Sequence, residues 1–335
     1  MLRVGVIGVG YLGKFHAEKY ALLPDVELVG VVDIDAKRAK EIASKLNCSY
    51  YTDYKEIADK VDAVSIVVPT ISHFEVASFF IDKGIHCLLE KPITQDVDEA
   101  KRLIDISKEK NIVLQVGHIE RFNPAVKVLS EKVQCPLFIE AHRLSEFKPR
   151  AIDVDVILDL MIHDIDIVLN LVKEEVTNVL AVGVPVLTPH VDIANVRLVF
   201  KNGCTANLTA SRISRYPMRR IRVFQPGCFI GVDCLKKNAL ILAKTGNDIS
   251  KDSISAQNIT LNNTDMLFEE IKAFVNSIKN NTKPVVTAED GKNALELAIT
   301  IGKQIKKGIK DLGLDISELL TPPPEFDKVM QLKSK

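Results

Sequence analysis

The sequence has no surplus of either charge, no long apolar run and no paired cysteines. Lysine plus arginine number 44, aspartate plus glutamate also 44, and the formal net charge is zero. That balance leaves no broad electrostatic footprint for nucleic acid or an anionic membrane surface, so an anionic ligand must be met by a local cluster. No apolar stretch approaches the roughly 18 residues needed to span a bilayer. "MLRVGVIGVG" opens directly on a strand pattern rather than a signal peptide, and a cytoplasmic protein is expected. The six cysteines (Cys48, Cys87, Cys135, Cys204, Cys228, Cys234) lack C-x-x-C spacing. They point away from a zinc knuckle or disulfide framework and read as reduced packing residues. Internal repeats and low-complexity linkers are missing too.

What is present is an ordered grammar. A chain of 335 residues, 47% of them hydrophobic, has room for two domains with a sizeable core. The first 120 residues alternate short apolar runs ("LRVGVIGV", "VELVGVVD", "AVSIVV", "HCLLE", "IVLQVG") with helical patterns at 11–22, 35–46, 72–83 and 96–110. That alternation predicts a parallel, doubly wound sheet with helices on both faces. Beyond residue 172 the pattern changes to strand after strand (177–184, 191–200, 204–213, 219–225, 228–233, 238–243), with Asn-Gly in "FKNGC" marking a hairpin. Helical patterns at 264–280 and 288–308 follow. The expected fold is α/β: a dinucleotide-binding domain over 1–120, an α+β domain with a large, mostly antiparallel open sheet over 121–320, and an extended tail over 321–335.

The first strand runs straight into "GVGYLG", placing Gly8, Gly10 and Gly13 in G-x-G-x-x-G at a strand-to-helix turn, with Tyr11 and Leu12 between them. Gly8 permits the turn, Gly10 admits backbone to a pyrophosphate, and Gly13 lets helix and strand pack closely. The helix N-terminus offers free amides to phosphates. The second strand ends in "VVDID", which puts Asp33 where a carboxylate accepts both adenosine ribose hydroxyls. Asp33 would repel a 2′-phosphate, so NAD is expected over NADP; Lys37 and Arg38 read as solvated helix charges. Ligands of such sheets bind beyond the carboxyl ends of the strands. The residues leaving those ends are "PTISH" (Pro69, Thr70, His73), "EKP" (Glu90, Lys91) and "GHIERFNP" (with Arg121 and Asn123). His16 reads as a structural helix residue and His73 as a neighbour of the cofactor.

One segment, "DVILDLMIHDIDIVLNLV" over 155–172, combines an apolar helix with a polar strip. At 100° per residue Asp155, Asp159, His163, Asp166 and Asn170 fall within a strip about 80° wide, and only Asp164 breaks the pattern. Such a helix is buried on most sides. Its strip reads either as a solvated edge or as a face aimed at something small.

Taken in order, "GVGYLGKFH", "VVDID", "PTISH", "EKP", "RFNP" and a D-x-x-x-H helix resemble the Gfo/Idh/MocA family of nicotinamide-dependent sugar and cyclitol dehydrogenases over essentially the whole chain. The resemblance implies a Rossmann domain, a second domain whose open sheet forms a homodimer or homotetramer interface, and an active site between them. It implies that Lys91, Asp159 and His163 meet at the nicotinamide. "GHIERFNPAV" and "DVDVILDLMIHDIDIVLNLV" look most like the branch that oxidises the 3-hydroxyl of UDP-N-acetylglucosamine, a step towards 2,3-diamino sugars in some lipid A pathways. The usual family Gly-Gly before the helix is replaced by "VDVI".

Oxidising a secondary alcohol needs a base for the hydroxyl proton and a donor for the developing alkoxide. His163 is the favoured base because its unperturbed pKa lies near neutrality. Asp159 orients it or holds a sugar hydroxyl, and Lys91 donates; the alternative gives the proton to Lys91. Arg121 and Asn123 are expected at the substrate or the nicotinamide ribose, or else as surface charge and helix cap. A diphosphate would need "HRLSEFKPR" or "SRISRYPMRR", with Arg150 and Arg215 favoured among Arg143, Lys148, Arg212, Arg219 and Arg220, and Tyr216 stacking on uracil. Asp166 and Asn170 read as structural, bonding backbone of the neighbouring domain. No metal is expected, although Asp159, His163 and Asp166 admit a metallohydrolase as a rival. The other rivals are a non-catalytic NAD or sugar sensor and a sibling dehydrogenase acting on inositol, a free sugar or a UDP-sugar acid.

Overall fold

The computed structural model describes residues 1–148, 154–246, 253–311 and 313. Arg150 and the tail expected over 321–335 lie outside the described residues. The first sheet contains β1 (Leu2–Ile7), β2 (Val26–Val32), β3 (Ser49–Tyr51), β4 (Ala63–Ile66), β5 (His86–Glu90) and β6 (Leu114–Gly117), in the order β3-β2-β1-β4-β5-β6. Every pairing in it is parallel. All four residues of β4 and of β6 are buried, as continuous apolar strands must be when helices cover both faces.

Those helices are α1 (Gly13–Ala21), α2 (Ala36–Leu46), α3 (His73–Asp82) and α4 (Val97–Glu109). Asp35 and Asp96 cap α2 and α4 by accepting backbone N–H bonds, which satisfies donors the first turn leaves free. Two helices from the far end of the chain return to the same sheet. α7 (Met266–Lys279) buries Leu267, Ile271 and Phe274 in one core with Ala17 and Tyr20 of α1. Burial of each such apolar side chain contributes roughly 1.5–3 kcal/mol. α8 (Ala288–Asp311) places Ala288 and Leu295 in the core on the opposite face of the sheet, and Leu297, Ala298, Ile301 and Ile305 in the core of the second sheet. One rigid helix thus joins the two halves and fixes the crevice between them.

The second sheet has eight strands: β7 (Phe138–Leu144), β8 (Val176–Val184), β9 (Ile193–Phe200), β10 (Thr205–Ser211), β11 (Met218–Gln225), β12 (Cys228–Asp233), β13 (Asn238–Lys244) and β14 (Ile254–Thr260). Their order is β14-β13-β12-β11-β7-β10-β9-β8. All pairings are antiparallel except β7 with β10. β9 alternates buried and open positions, as a sheet with one covered face requires. The predicted hairpin stands between β9 and β10, where Gly203 takes φ +85°. β7 was not among the expected strands, yet it is a central one. α5 (Pro124–Lys132) and α6 (Ile162–Val172) pack on the covered face.

The helix expected over 155–172 is not uniform. Ile157–Met161 form a π-helical turn, and regular α geometry begins only at Ile162. A π turn is wider than an α turn, so the strip projected at 100° per residue loses phase before His163.

Candidate active site

The glycine-rich turn is built as its spacing requires. Gly8 has φ +85°, and a Cβ there would meet the Val67 carbonyl at 2.6 Å; one on Gly13 would meet the Gly8 carbonyl at 1.8 Å. A Cβ on Gly10 would meet nothing within 4 Å, which leaves open space for a pyrophosphate against backbone. Tyr11 is largely exposed beside this turn, and Leu12 stands at the N-cap of α1. A cleft of about 550 Å³ beside the turn is lined by Gly8, Gly10, Asp33, Arg38, Pro69 and Val76 among others, and its size and donors fit the adenosine half of a dinucleotide. Asp33 Oδ2 accepts from Val9 N–H at 3.0 Å and Oδ1 from Asp35 N–H at 2.9 Å, so the carboxylate is held at the cleft mouth.

Arg38 is an exposed charge, as read from the sequence, but it is not unpartnered. Its Nη1 donates to both Asp33 oxygens, at 3.2 and 3.3 Å, from within the cleft wall. His73 was expected near the cofactor, and its ring is bonded to backbone. It is 1% exposed, and its two ring nitrogens lie 2.9 Å from the Pro92 carbonyl and 3.0 Å from the Val68 carbonyl. The ring ties together the loops that follow β4 and β5, with neighbouring Thr70 half-buried, rather than reaching a ligand. Burial pushes its pKa below the ordinary histidine value.

At the ends of β5 and β6 the chemistry becomes denser. Lys91 follows β5 directly, and its Nζ donates to the Asp159 backbone carbonyl at 2.9 Å, inside the π turn. The contact is to the carbonyl, not to the carboxylate; the carboxylate acts through space. Burial lowers the Lys91 pKa, opposed by Asp159 and Glu90 and assisted by Arg143. His163 opens the regular part of the helix. Burial first, then the charges of Lys91 and Arg143, holds its pKa well below the ordinary value, so the imidazole is neutral. Its Nδ1 is buried without a hydrogen-bond partner among the described residues, so Asp159 does not hold that nitrogen. The structure therefore brings Lys91, Asp159 and His163 together, but with the aspartate serving the lysine.

His118, at the end of β6, was given no role of its own by the sequence reading. Its ring stands edge-on to His163 with centroids 6.4 Å apart. Both its nitrogens are buried and unpartnered among the described residues, and burial lowers its pKa. The available signal was its position, one residue past the carboxyl end of a parallel strand.

The polar residues further along belong to the scaffold. Arg121, expected at the substrate, makes a fork with Asp166: Nε to Oδ2 at 2.6 Å and Nη2 to Oδ1 at 2.8 Å. Asn123, also expected there, is 1% exposed; its Oδ1 caps α5 through Ala125 N–H, and its Nδ2 donates to Glu120 and the Cys234 carbonyl. Asp166 is structural as expected, but its partner is a side chain rather than backbone, and that fork removes it from a metal site with His163. Asp164 is explained by Arg143, which donates to it at 2.9 and 2.8 Å and to Glu120 at 2.8 Å. Arg143 is consequently no free phosphate ligand. Burial works against its charge, yet the two carboxylates prevail and raise its pKa. Arg212 donates to the Val154 carbonyl at 2.5 Å, Arg219 to Glu120 at 3.1 Å and Arg220 to Asp233 at 3.0 Å. Arg215 and Tyr216 are exposed side by side, with the guanidinium carbon 5.6 Å from the ring centroid.

Comparison with known proteins agrees with this construction. Residues 2–118 match the family model described as "Oxidoreductase family, NAD-binding Rossmann fold", and residues 137–225 match the "GFO/IDH/MocA C-terminal domain". The UDP-N-acetylglucosamine 3-dehydrogenase of Acidithiobacillus ferrooxidans is 40% identical over 302 residues, 90% of this chain and 96% of that one. Its solved structure superposes with a TM-score of 0.86 over 91% of this chain and 98% of its own. The myo-inositol 2-dehydrogenase of Thermotoga maritima is 29% identical over 91% of this chain and 97% of that one. At 20% identity, the scyllo-inositol dehydrogenase of Lactobacillus casei, solved with NAD(H) and scyllo-inositol, shares the fold with a TM-score of 0.77 over 92% of this chain and 98% of its own. With both of its sheets matched and the lysine, aspartate and histidine gathered at their junction, the chain belongs to the Gfo/Idh/MocA family of oxidoreductases.

Proposed function

We propose that this protein is an NAD-dependent dehydrogenase that oxidises the 3-hydroxyl of UDP-N-acetylglucosamine to the 3-keto sugar nucleotide. The observation that carries the reaction class is the pairing of Lys91 with a neutral, partly unpartnered His163 beyond the strand ends of a dinucleotide sheet. Bound NAD would supply the hydride acceptor, held at its pyrophosphate by the amides following Gly8 and Gly10 and at its ribose by Asp33. His163 takes the hydroxyl proton: its imidazole is unprotonated and so free to accept it, with a basicity that burial, Lys91 and Arg143 hold below the ordinary value. Lys91, anchored by the Asp159 carbonyl, donates to the same oxygen and stabilises the negative charge as it develops.

The choice of sugar rests on the 40% identity to the Acidithiobacillus enzyme. Arg215 and Tyr216 are the exposed pair suited to a diphosphate and a uracil ring, with Arg150 as a further candidate. In this reading residues 1–120 bind the cofactor, residues 121–320 carry the substrate and oligomer surfaces, and 321–335 is a tail. The open face of the second sheet, with Leu180, Val182 and Val184 at 55%, 61% and 45% exposure, supports a homodimer or homotetramer. A cytoplasmic enzyme feeding an aminotransferase on a route to lipid A suits the 3-keto product; no helix among the described residues is long and apolar enough to cross a membrane.

The test follows NADH absorbance with UDP-N-acetylglucosamine, NAD and a ketone trap, because ketone formation is uphill. UDP-N-acetylglucosaminuronic acid, myo-inositol and glucose serve as competing substrates, and NADP as the competing cofactor. Turnover of myo-inositol alone would favour the reading suggested by the Thermotoga relative. Preference for NADP would mean that Arg38 leaves Asp33 to meet a 2′-phosphate.

A further inference from the structure

Next to Lys91 lies a second group of ionisable side chains that the proposed reaction does not use. His16 of α1, Glu90 at the end of β5 and Glu270 of α7 each place one polar atom within 4.8 Å of the other two. His16 and Glu270 are 0% exposed. The His16 ring is fixed from the far side, where Nδ1 lies 3.2 Å from Ser65 Oγ, itself 2.8 Å from the Tyr20 hydroxyl. Its Nε2 lies 3.2 Å from Glu90 Oε1 but off the line of a hydrogen bond.

The two carboxylates are not equivalent. Glu90 keeps 13% side-chain exposure, accepts from Lys91 N–H at 3.3 Å, and lies over Gly117, where any Cβ would meet its oxygens at 2.8 to 3.0 Å. Glu270 has no donor among the described residues: both its oxygens are buried without a hydrogen-bond partner. An ionised carboxylate in that position would carry a desolvation cost of several kcal/mol with nothing to offset it. Burial, reinforced by Glu90, accordingly raises the Glu270 pKa well above the ordinary range.

We propose that Glu270 is a buried neutral carboxylic acid packed beside Glu90 and His16, and that Glu90 is a positioning residue that joins Asp159 in keeping Lys91 an ammonium. The proposal rests on the reading of Lys91 as the donor to the reacting oxygen. Among the described residues, Tyr20 faces the group from α1, Cys87 from β5, Lys91 from the residue after β5, His73 from α3 and His118 from the residue after β6. Asp159 and Arg143 reach only Lys91, with opposite effects on its charge.

Two measurements need no sugar substrate, so they separate this proposal from the choice of reaction. Infrared difference spectra of the wild type against Glu270→Gln, in H2O and D2O at neutral pH, should show a protonated carboxyl band in the wild type only. Absence of that band in the folded wild type would overturn the proposal. Competitive acylation of Lys91, read by peptide mass spectrometry across pH, should show its midpoint falling by about one pH unit in Glu90→Gln. In Glu270→Gln, which matches the neutral acid in shape, the midpoint should move by less than about half of that. An unmoved midpoint in a folded Glu90→Gln protein overturns the positioning role. A stoichiometric divalent metal in the purified protein, lost in His16→Asn, would replace the proton with a cation and overturn it equally.

Discussion

Neighbouring polar side chains on the first turns of α6, and the residues that face them, are treated in opposite ways. In α6, the oxygens of Asp164 and Asp166 accept from arginine forks, Arg143 and Arg121, in a dry interior. Immediately before Asp164 in the same helix, His163 Nδ1 has no partner among the described residues, and neither do the two nitrogens of the facing His118. Leaving a buried polar atom unpaired costs about 1–3 kcal/mol, and the fold accepts that cost at the junction of the two sheets. Paired groups there hold the architecture; in the proposed reaction the unpaired His163 meets the substrate.

That contrast breaks most visibly at His163. His163→Ala should lower kcat by 10²–10⁴-fold, the usual value of a positioned base, while NAD affinity by titration stays within a few-fold. Its unfolding free energy should fall by no more than about 1 kcal/mol, because no bond at Nδ1 is lost. Asp164→Ala should show the reverse. It leaves Arg143 buried with half its pairing, so urea denaturation should report a loss of about 3–5 kcal/mol in the apo protein.

A smaller effect on stability comes with pH. His73, His118 and His163 all have folded pKa values below 6.5, whereas an unfolded histidine titrates near that value. Below about 6.5 the unfolded chain binds more protons, so stability falls as the pH is lowered through that window. Glu270, whose folded pKa is raised, opposes this with one proton and loses its contribution as pH rises. Each uncompensated histidine adds up to about 1.4 kcal/mol per pH unit. Thermal denaturation from pH 7.5 to 5.5 should show a shallower slope in His118→Asn than in the wild type.

Much of the fold was legible because its signals are local. The alternation of runs and helices over the first 120 residues, the Asn-Gly hairpin and the glycine turn each depend on neighbouring residues, and each is realised. The strand β7 was hidden because "FIEAHRL" mixes charge into its alternation; Arg143 and Glu140 point to opposite faces and find distant partners. Within the site, Lys91 and His163 were visible from type and position, whereas Arg121 and Asn123 had the same appearance and proved structural. Arg38 stays an exposed charge, and its partner Asp33 stands only five residues before it.

By itself, then, the sequence determined the parallel sheet with its nucleotide turn, the carboxylate at Asp33, and the lysine and histidine brought to the strand ends. Tertiary structure decided which polar residues are paired within the scaffold and which are left unpaired. Arg121 and Asp166 stand 45 residues apart and Arg143 and Asp164 stand 21 apart, and no local pattern specifies such partners. The π turn at Ile157–Met161 completed the division, since a widened turn rotates Asp159 and its carbonyl relative to the residues that follow.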